Sequence, residues 1–145
     1  FTSGQLKEMR GMLAGNINIS GNLQQPNIGG VLSFKEASFR STYTNSVYRL
    51  PNESINFQSP GLVFNNFKIH DENNNTATVN GTINTEQLTD MKFNLFVQTR
   101  NFRLLNTTDN DNEMFYGKVG LNAKAKVTGS TSLPVVDMVV RLTDD

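Results

Sequence analysis

The chain has 145 residues, a length typical of one domain or of one piece of a longer chain. Its 13 Lys and Arg equal its 13 Asp and Glu, so it lacks the basic balance of a nucleic-acid-binding domain. The absence of Cys from the sequence excludes disulfides and thiolate metal sites, and a single His leaves little material for His-based catalysis. No apolar run approaches the ~18 residues of a membrane-spanning helix. We therefore expect no nucleic-acid partner and no cofactor.

The first predicted element is a short helix over 5–13. Leu6, Met9 and Leu13 fall at helical spacing there, although Gly11 lowers the helix propensity of the segment. It is the one helix that the sequence predicts.

Beyond this segment, apolar and polar residues alternate with a period of two, which indicates β-strands. The clearest run is 118–127, where Val, Leu and Ala share one face and Lys118, Lys124 and Lys126 share the other. Turn-forming clusters separate the runs at 44–46, 58–61, 71–75, 84–90 and 107–113. About ten strands with hairpin-length connections predict an all-β, largely antiparallel sheet with one apolar and one polar face.

The apolar phase shifts by one residue within two of these runs. One shift lies between Phe34 and Ala37, and the other lies between Phe64 and Phe67. A β-bulge would restore the apolar face, because one extra residue re-aims the following side chains and bends the strand. Two short strands meeting at a corner are the alternative, and both interpretations predict a curved sheet.

One group of residues could support acid–base chemistry. His70 places a possible base beside Asp71 and Glu72. Neighbouring residues on a strand point to opposite faces, so these side chains cannot easily orient one another, and no G-x-S-x-G nucleophile motif accompanies them. The sequence therefore favours a solvated strand end over a catalytic site.

Residues 109–113 alternate oxygen ligands, as the start of a calcium-binding loop does. Met114 stands where such a loop requires Gly, and Gly120 stands where it requires Glu, so the EF-hand interpretation fails. A polar hairpin loop is expected, and a looser cation site is the alternative. Since the net charge is zero, the stripe of Lys118, Lys124 and Lys126 is interpreted as a solvated outer face rather than an anion-binding one.

The apolar faces themselves leave two interpretations open. The chain has ten Phe and no Trp, and most Phe alternate toward the apolar side. A second sheet could cover this side, as in a compact β-sandwich, or the side could remain an open apolar groove for acyl chains. A small hydrolase is a third possibility, which the missing nucleophile and base pair oppose.

Several stretches of the chain resemble the TamB-like proteins of the translocation and assembly module family, in the form found in Bacteroidota. The stretches are GNLQQPNIGGVLSF (21–34), YRLPNESINF (48–57), GLVFNNFKIHD (61–71) and NFRLLNTT (101–108), which leads into FYGKV (115–119). The resemblance implies an elongated U-shaped "β-taco" sheet with an apolar concave face. Because the chain begins with Phe1 and has no leader, we expect residues 1–145 to be a single such segment excised from a longer chain.

The resemblance also implies a non-enzymatic function without cofactor or metal. The segment would be periplasmic, in a full-length protein anchored in the inner membrane of a Gram-negative bacterium. Its hydrophobic groove would serve phospholipid transport to the outer membrane, outer-membrane protein assembly and secretion, or both. The implied partners are phospholipid acyl chains, neighbouring sheet segments of the same chain and, through the full-length protein, a TamA-like outer-membrane barrel. A compact β-sandwich binding a carbohydrate or protein ligand is the alternative.

Under this interpretation, the apolar residues of the alternating runs line the groove. They are Ile17, Ile19, Leu32, Phe34, Ile55, Phe57, Phe67, Ile69, Val79, Ile83, Phe93, Leu95, Val97, Val119, Leu121 and Val127.

Overall fold

The computed structural model describes residues 6–22, 26–107 and 117–143, which form eight strands in one antiparallel sheet whose spatial order follows the chain. The strands are β1 (Leu6–Gly21), β2 (Pro26–Ser41), β3 (Val47–Gln58), β4 (Gly61–His70), β5 (Thr76–Asn84), β6 (Lys92–Thr107), β7 (Gly117–Gly129) and β8 (Pro134–Thr143). The prediction of an all-β antiparallel sheet is confirmed. The described strands number eight rather than ten, because the runs on either side of a phase shift belong to one strand.

The N-terminal segment is a strand, so the helix predicted over 5–13 is wrong for its described part, residues 6–13. Glu8 has a φ of 52°, and the pairing of β1 with β2 shifts register around it. The resulting bulge adds one residue between Leu6 and Met9, while Met9 and Leu13 are two strand periods apart. Spacings of three and four residues therefore imitate a helix although the backbone is extended.

Both predicted bulges are present. In β4, the register with β5 shifts between Phe64 and Phe67, and Asn66 between them has a φ of 50°. The N–H of Asn66 donates to Oδ1 of Asn80 on β5 at 2.8 Å, so the irregular backbone keeps a hydrogen-bond partner. In β2, the register with β1 shifts around Glu36, which has a φ of 49°.

A further bulge, which the sequence does not predict, lies in β6. The register with β7 shifts between Thr99 and Phe102, and Asn101 has a φ of 46°. The N–H of Asn101 donates to Oδ1 of Asn122 on β7 at 2.8 Å. The bulges of β4 and β6 are thus stabilised in the same way: an Asn adopts the positive φ, and a second Asn on the next strand accepts a hydrogen bond from its displaced N–H.

The pairing register brings the apolar residues of neighbouring strands onto one side of the sheet, because directly paired residues project from the same face. One row crosses β3 to β6 through Phe57, Leu62, Ile83 and Phe93. The bulges preserve this side along the strands. We call it the inner face, and the opposite, mostly polar side the outer face.

The sheet curves toward the inner face. Three strand spacings measure about 14 Å, yet the rings of Tyr48 on β3 and Phe102 on β6 stack with centroids 5.5 Å apart and planes 5° apart. A backbone hydrogen bond spans the same gap, because the N–H of Asn106 on β6 donates to the carbonyl of Thr44, just before β3, at 2.9 Å. β3 and β6 therefore converge over the β4–β5 hairpin, which makes the inner face concave at this end.

The sheet buries less surface than a compact domain of this size. A folded monomer of 16.1 kDa is expected to expose about 7,400 Å², whereas this chain exposes 9953 Å². The difference is the one expected of a sheet with an open face.

Candidate functional site

The inner face is divided along the strands into two halves with different degrees of burial. The first half surrounds the β4–β5 hairpin, where Tyr48, Ala77 and Phe102 are buried and Phe39 and Ile69 pack against them. We call this half the closed half, because the protein's own side chains fill it.

A buried carboxylate holds the closed half together. Asp71 is fully buried, and its Oδ1 accepts from the N–H groups of Asn73 at 2.9 Å and Asn75 at 2.8 Å. Its Oδ2 accepts from the Asn75 side chain at 3.0 Å and from the N–H of Arg103 on β6 at 2.7 Å. The prediction of a solvated strand end is therefore wrong, because Asp71 both forms the hairpin turn and joins it to β6.

Glu72 and Arg49 extend this connection to β3. Glu72 accepts from the N–H of Val47 at 3.1 Å through Oε1 and from the Asn106 side chain at 3.3 Å through Oε2. Arg49 Nη2 donates to the carbonyl of Asp71 at 2.7 Å. The carboxylates of Asp71 and Glu72 are thus bonded to backbone and amide groups, while Nδ1 of His70 is buried without a hydrogen-bond partner among the described residues. This arrangement does not bring a base and an acid together for catalysis.

The second half lies beyond the bulges, toward the β3–β4 and β5–β6 connections. Its residues, including Ile55, Phe57, Leu62, Ile83 and Phe93, are only half-buried. Neighbouring hairpins are linked side by side at this end, since the N–H of Thr85 donates to the carbonyl of Pro60 at 2.8 Å. We call this the open half, because apolar side chains there remain accessible within a curved sheet.

Aromatic contacts mark the boundary between the halves. Phe67 is buried, and its ring meets those of Phe34 at 6.0 Å and Phe64 at 5.6 Å, both edge to face. Phe64 and Phe67 flank the β4 bulge, so the bend of the strand brings their rings together. A continuous apolar surface therefore changes here from buried to accessible.

The structure places the predicted lining residues on this inner face with unequal exposure. Ile17 and Ile19 on β1 are 42% and 72% exposed, whereas Phe67 is buried. The remaining thirteen are half-buried: Leu32, Phe34, Ile55, Phe57, Ile69, Val79, Ile83, Phe93, Leu95, Val97, Val119, Leu121 and Val127. The face extends onto β8, where Val136, Met138, Val140 and Leu142 pair with β7 residues of the inner face.

The sequence reasoning missed an apolar recess on β1 and β2. A cavity of about 390 Å³ lies over the inner side of these strands, and its apolar lining includes Leu6, Met9, Leu13 and Phe34 together with Leu50 of β3. The interpretation of 5–13 as a helix concealed it, because the strand pattern of Met9 and Leu13 would have placed both on the inner face.

Other candidate sites are weaker. The described residues contain no group of three or more side chains suited to hold a metal ion, and the predicted polar loop at 109–113 lies outside the described residues. Within the described part of the chain, helices that could cross a membrane are also missing. In the β5–β6 connection, hydrogen bonds from the hydroxyls of Ser130 and Ser132 lower the pKa of the Asp90 carboxyl.

Comparison with known families matches this sheet to one of them. A family model described as the TamB C-terminal domain matches residues 65–145, from within β4 to the end of the chain. The chain belongs to the TamB family. The resemblance read from the sequence is confirmed, and membership makes this TamB-like chain part of a translocation and assembly module protein of the cell envelope. No curated protein and no solved structure shows a significant match.

Proposed function

We propose that this TamB-like segment binds phospholipid acyl chains in the open half of its inner face. In the full-length protein, it would form part of a periplasmic groove for phospholipid transport to the outer membrane, for outer-membrane protein assembly and secretion, or for both. The single observation that carries the proposal is the continuous apolar face that the chain curves around but fills only in its closed half.

The energetics require a continuous apolar surface rather than polar ligands. Exposing each CH₂ of an acyl chain to water costs about 0.8 kcal/mol, so the transfer of a whole chain of ~16 carbons into water costs roughly 13 kcal/mol unless an apolar surface shields it. Hydrophobic attraction is non-directional, so a lining of Ile, Val, Leu and Phe lets a chain slide without deep traps. This explains how a groove can serve transport without a specific polar constellation.

The compact β-sandwich of the alternative proposal needs a second layer over the same face. The closed half behaves like a conventional core, with Tyr48, Phe102 and Ala77 buried together. The open half does not, because Phe57, Phe93 and Ile83 are still half-exposed. This contrast within one face favours a groove over a sandwich.

We also propose that the two edge strands are covered in the full-length protein by neighbouring sheet segments of the same chain. Ile19 on β1 and Leu142 on β8 are 72% and 73% exposed, and among the described strands each of these two has one side without a paired neighbour. Through the full-length protein, a TamA-like outer-membrane barrel is the proposed assembly partner, and an inner-membrane anchor is the proposed attachment.

Mass spectrometry of the purified protein tests lipid binding. We expect phospholipid to co-purify with the wild type and to be lost in Phe93→Asp, which places a charge on the inner face. The matched control is Phe96→Asp, three residues along the same strand on the outer face, which should retain the lipid. Wild-type protein free of phospholipid contradicts the proposal. So does loss of folding in Phe93→Asp, measured by circular dichroism, because Phe93 would then be a core residue.

A further inference from the structure

The zero net charge of the chain conceals a separation of charge within the sheet. All 13 Lys and Arg residues lie in strands, whereas of the eight Asp and Glu residues in the described part of the chain four do, namely Glu8, Glu36, Glu53 and Asp137. Alternation with the apolar residues then directs the strand cations to the outer face. The net charge of the whole chain does not reveal this separation, which is why the lysine stripe alone is interpreted as a solvated face.

The separation is most pronounced on β4 to β8. Six exposed cations of these strands alternate with inner-face residues and form no ion pair within the described part of the chain: Lys68, Arg100, Lys118, Lys124, Lys126 and Arg141. On the described outer face of the same strands, the one acid is Asp137, opposite Lys126. The cations of β2 and β3 differ, since Arg40 pairs with Glu8 at 3.2 Å and Arg49 binds the hairpin carbonyls.

A shallow depression of about 400 Å³ lies within this basic surface, and Arg100, Lys124, Val139 and Arg141 contribute to its lining. Val139 is 72% exposed on the outer side of β8, between the cations. Val135 is another exposed apolar residue on this side of β8, at 46%. We call Arg100, Lys124, Lys126, Val139 and Arg141 the basic patch.

We infer that the basic patch docks the segment onto an anionic phospholipid membrane. The cations are spread over strands β6 to β8 and do not converge on one buried point, so the partner must present many anionic groups over an area. Apolar side chains among the cations fit a membrane interface, where charged groups meet phosphates and apolar groups reach the acyl boundary. A docked segment would have its outer face on the lipid surface while its inner face remains available.

Vesicle flotation with the purified chain tests this inference. Vesicles of phosphatidylglycerol and phosphatidylcholine should bind the protein, vesicles of phosphatidylcholine alone should not, and salt should weaken binding because it screens exposed charges. The double variant Lys124→Gln with Arg141→Gln should lower the affinity roughly 25-fold, as expected for two cations at an anionic surface.

The matched control removes the same charge elsewhere on the outer face. Lys7→Gln with Lys35→Gln, on β1 and β2, should change the affinity no more than about threefold, since these residues lie distant from the patch. The inference would be overturned if the two double variants lost vesicle affinity equally, or if the protein bound both vesicle types alike. It would also be overturned if an acidic polypeptide captured the protein and vesicles did not. The patch variant should still co-purify with phospholipid, so a failure of docking and a failure of the groove give different results.

Discussion

The ring of Tyr48 stacks on the ring of Phe102 across two intervening strands, and the Tyr48 hydroxyl donates to the carbonyl of Leu104 at 3.2 Å. One side chain of β3 therefore contacts β6 through both its ring and its hydroxyl. Because this contact closes the curve of the sheet, we expect it to matter more for stability than an equally large aromatic residue on the outer face.

Phe102→Ala should lower the free energy of unfolding by about 3–5 kcal/mol, because it removes a buried aromatic ring from the closed half. Tyr48→Phe should cost about 0.5–1.5 kcal/mol, which is the net value of the hydroxyl's hydrogen bond. Urea denaturation measures both. Phe96→Ala is the control, since Phe96 is 43% exposed, and a loss in Phe96→Ala equal to that in Phe102→Ala would contradict the assigned closure.

The Asn pairs at the bulges predict a second set of decreases in the free energy of unfolding. Asn80→Ala and Asn122→Ala each remove the acceptor of a bulge N–H, so each should lower the free energy of unfolding by about 1 kcal/mol. Asn66→Val should cost more than Asn66→Gly, because a β-branched residue disfavours the φ of 50°. Asn94→Ala, an exposed outer-face position, serves as the control. Equal values for Asn80→Ala and Asn94→Ala would show that the pairing carries no stability.

Asp71→Asn tests the buried carboxylate. Its two oxygens accept four hydrogen bonds, and an amide would turn one acceptor into a donor facing N–H groups. We expect a loss of about 2–3 kcal/mol, the range for a buried polar group left mispaired. Thermal unfolding measures the loss against Glu86→Gln, an exposed control. Wild-type stability in Asp71→Asn would mean that the carboxylate does not hold the hairpin to β6.

The unpaired sides of β1 and β8 predict association of the isolated chain, because open strand edges template pairing. Sedimentation should show a dimer or larger species whose share rises with concentration. Met138→Lys should reduce it by placing a charge beside the β8 edge. Leu88→Lys, at a similarly exposed loop position, should not. A strict monomer at high concentration would rule out edge pairing.

Much of the fold follows from the sequence because strand periodicity is a local signal. The shift between Phe64 and Phe67 predicted the β4 bulge, and the Asn-rich turns marked 71–75 correctly. The same rule, applied to Leu6 and Met9, would have found the β1 bulge, but a spacing of three is shared by a helix and by a bulged strand. Only pairing with β2 separates these possibilities, and pairing is not local.

The closed half could not be predicted from the sequence, because it too depends on contacts that are not local. Tyr48 and Phe102 are 54 positions apart, and the residues next to them carry no signal that β3 and β6 converge. Asp71 gave a partial signal, since Asp followed by Asn residues favours a turn closed by its side chain. That its second oxygen reaches Arg103 depends on the curvature of the whole sheet.

The sharpest test of the groove uses the absence of Trp from the sequence. Phe93→Trp places one fluorophore in the open half, and Phe102→Trp places one in the closed half. Phosphatidylcholine brominated along its acyl chains quenches Trp fluorescence on contact, and it is supplied from detergent micelles so that the lipid can enter the groove without docking of a vesicle. We predict that this lipid quenches Phe93→Trp and leaves Phe102→Trp unquenched, with both variants folded by circular dichroism. No quenching of Phe93→Trp would contradict the account, because hydrocarbon would then not enter the face that the sheet leaves open.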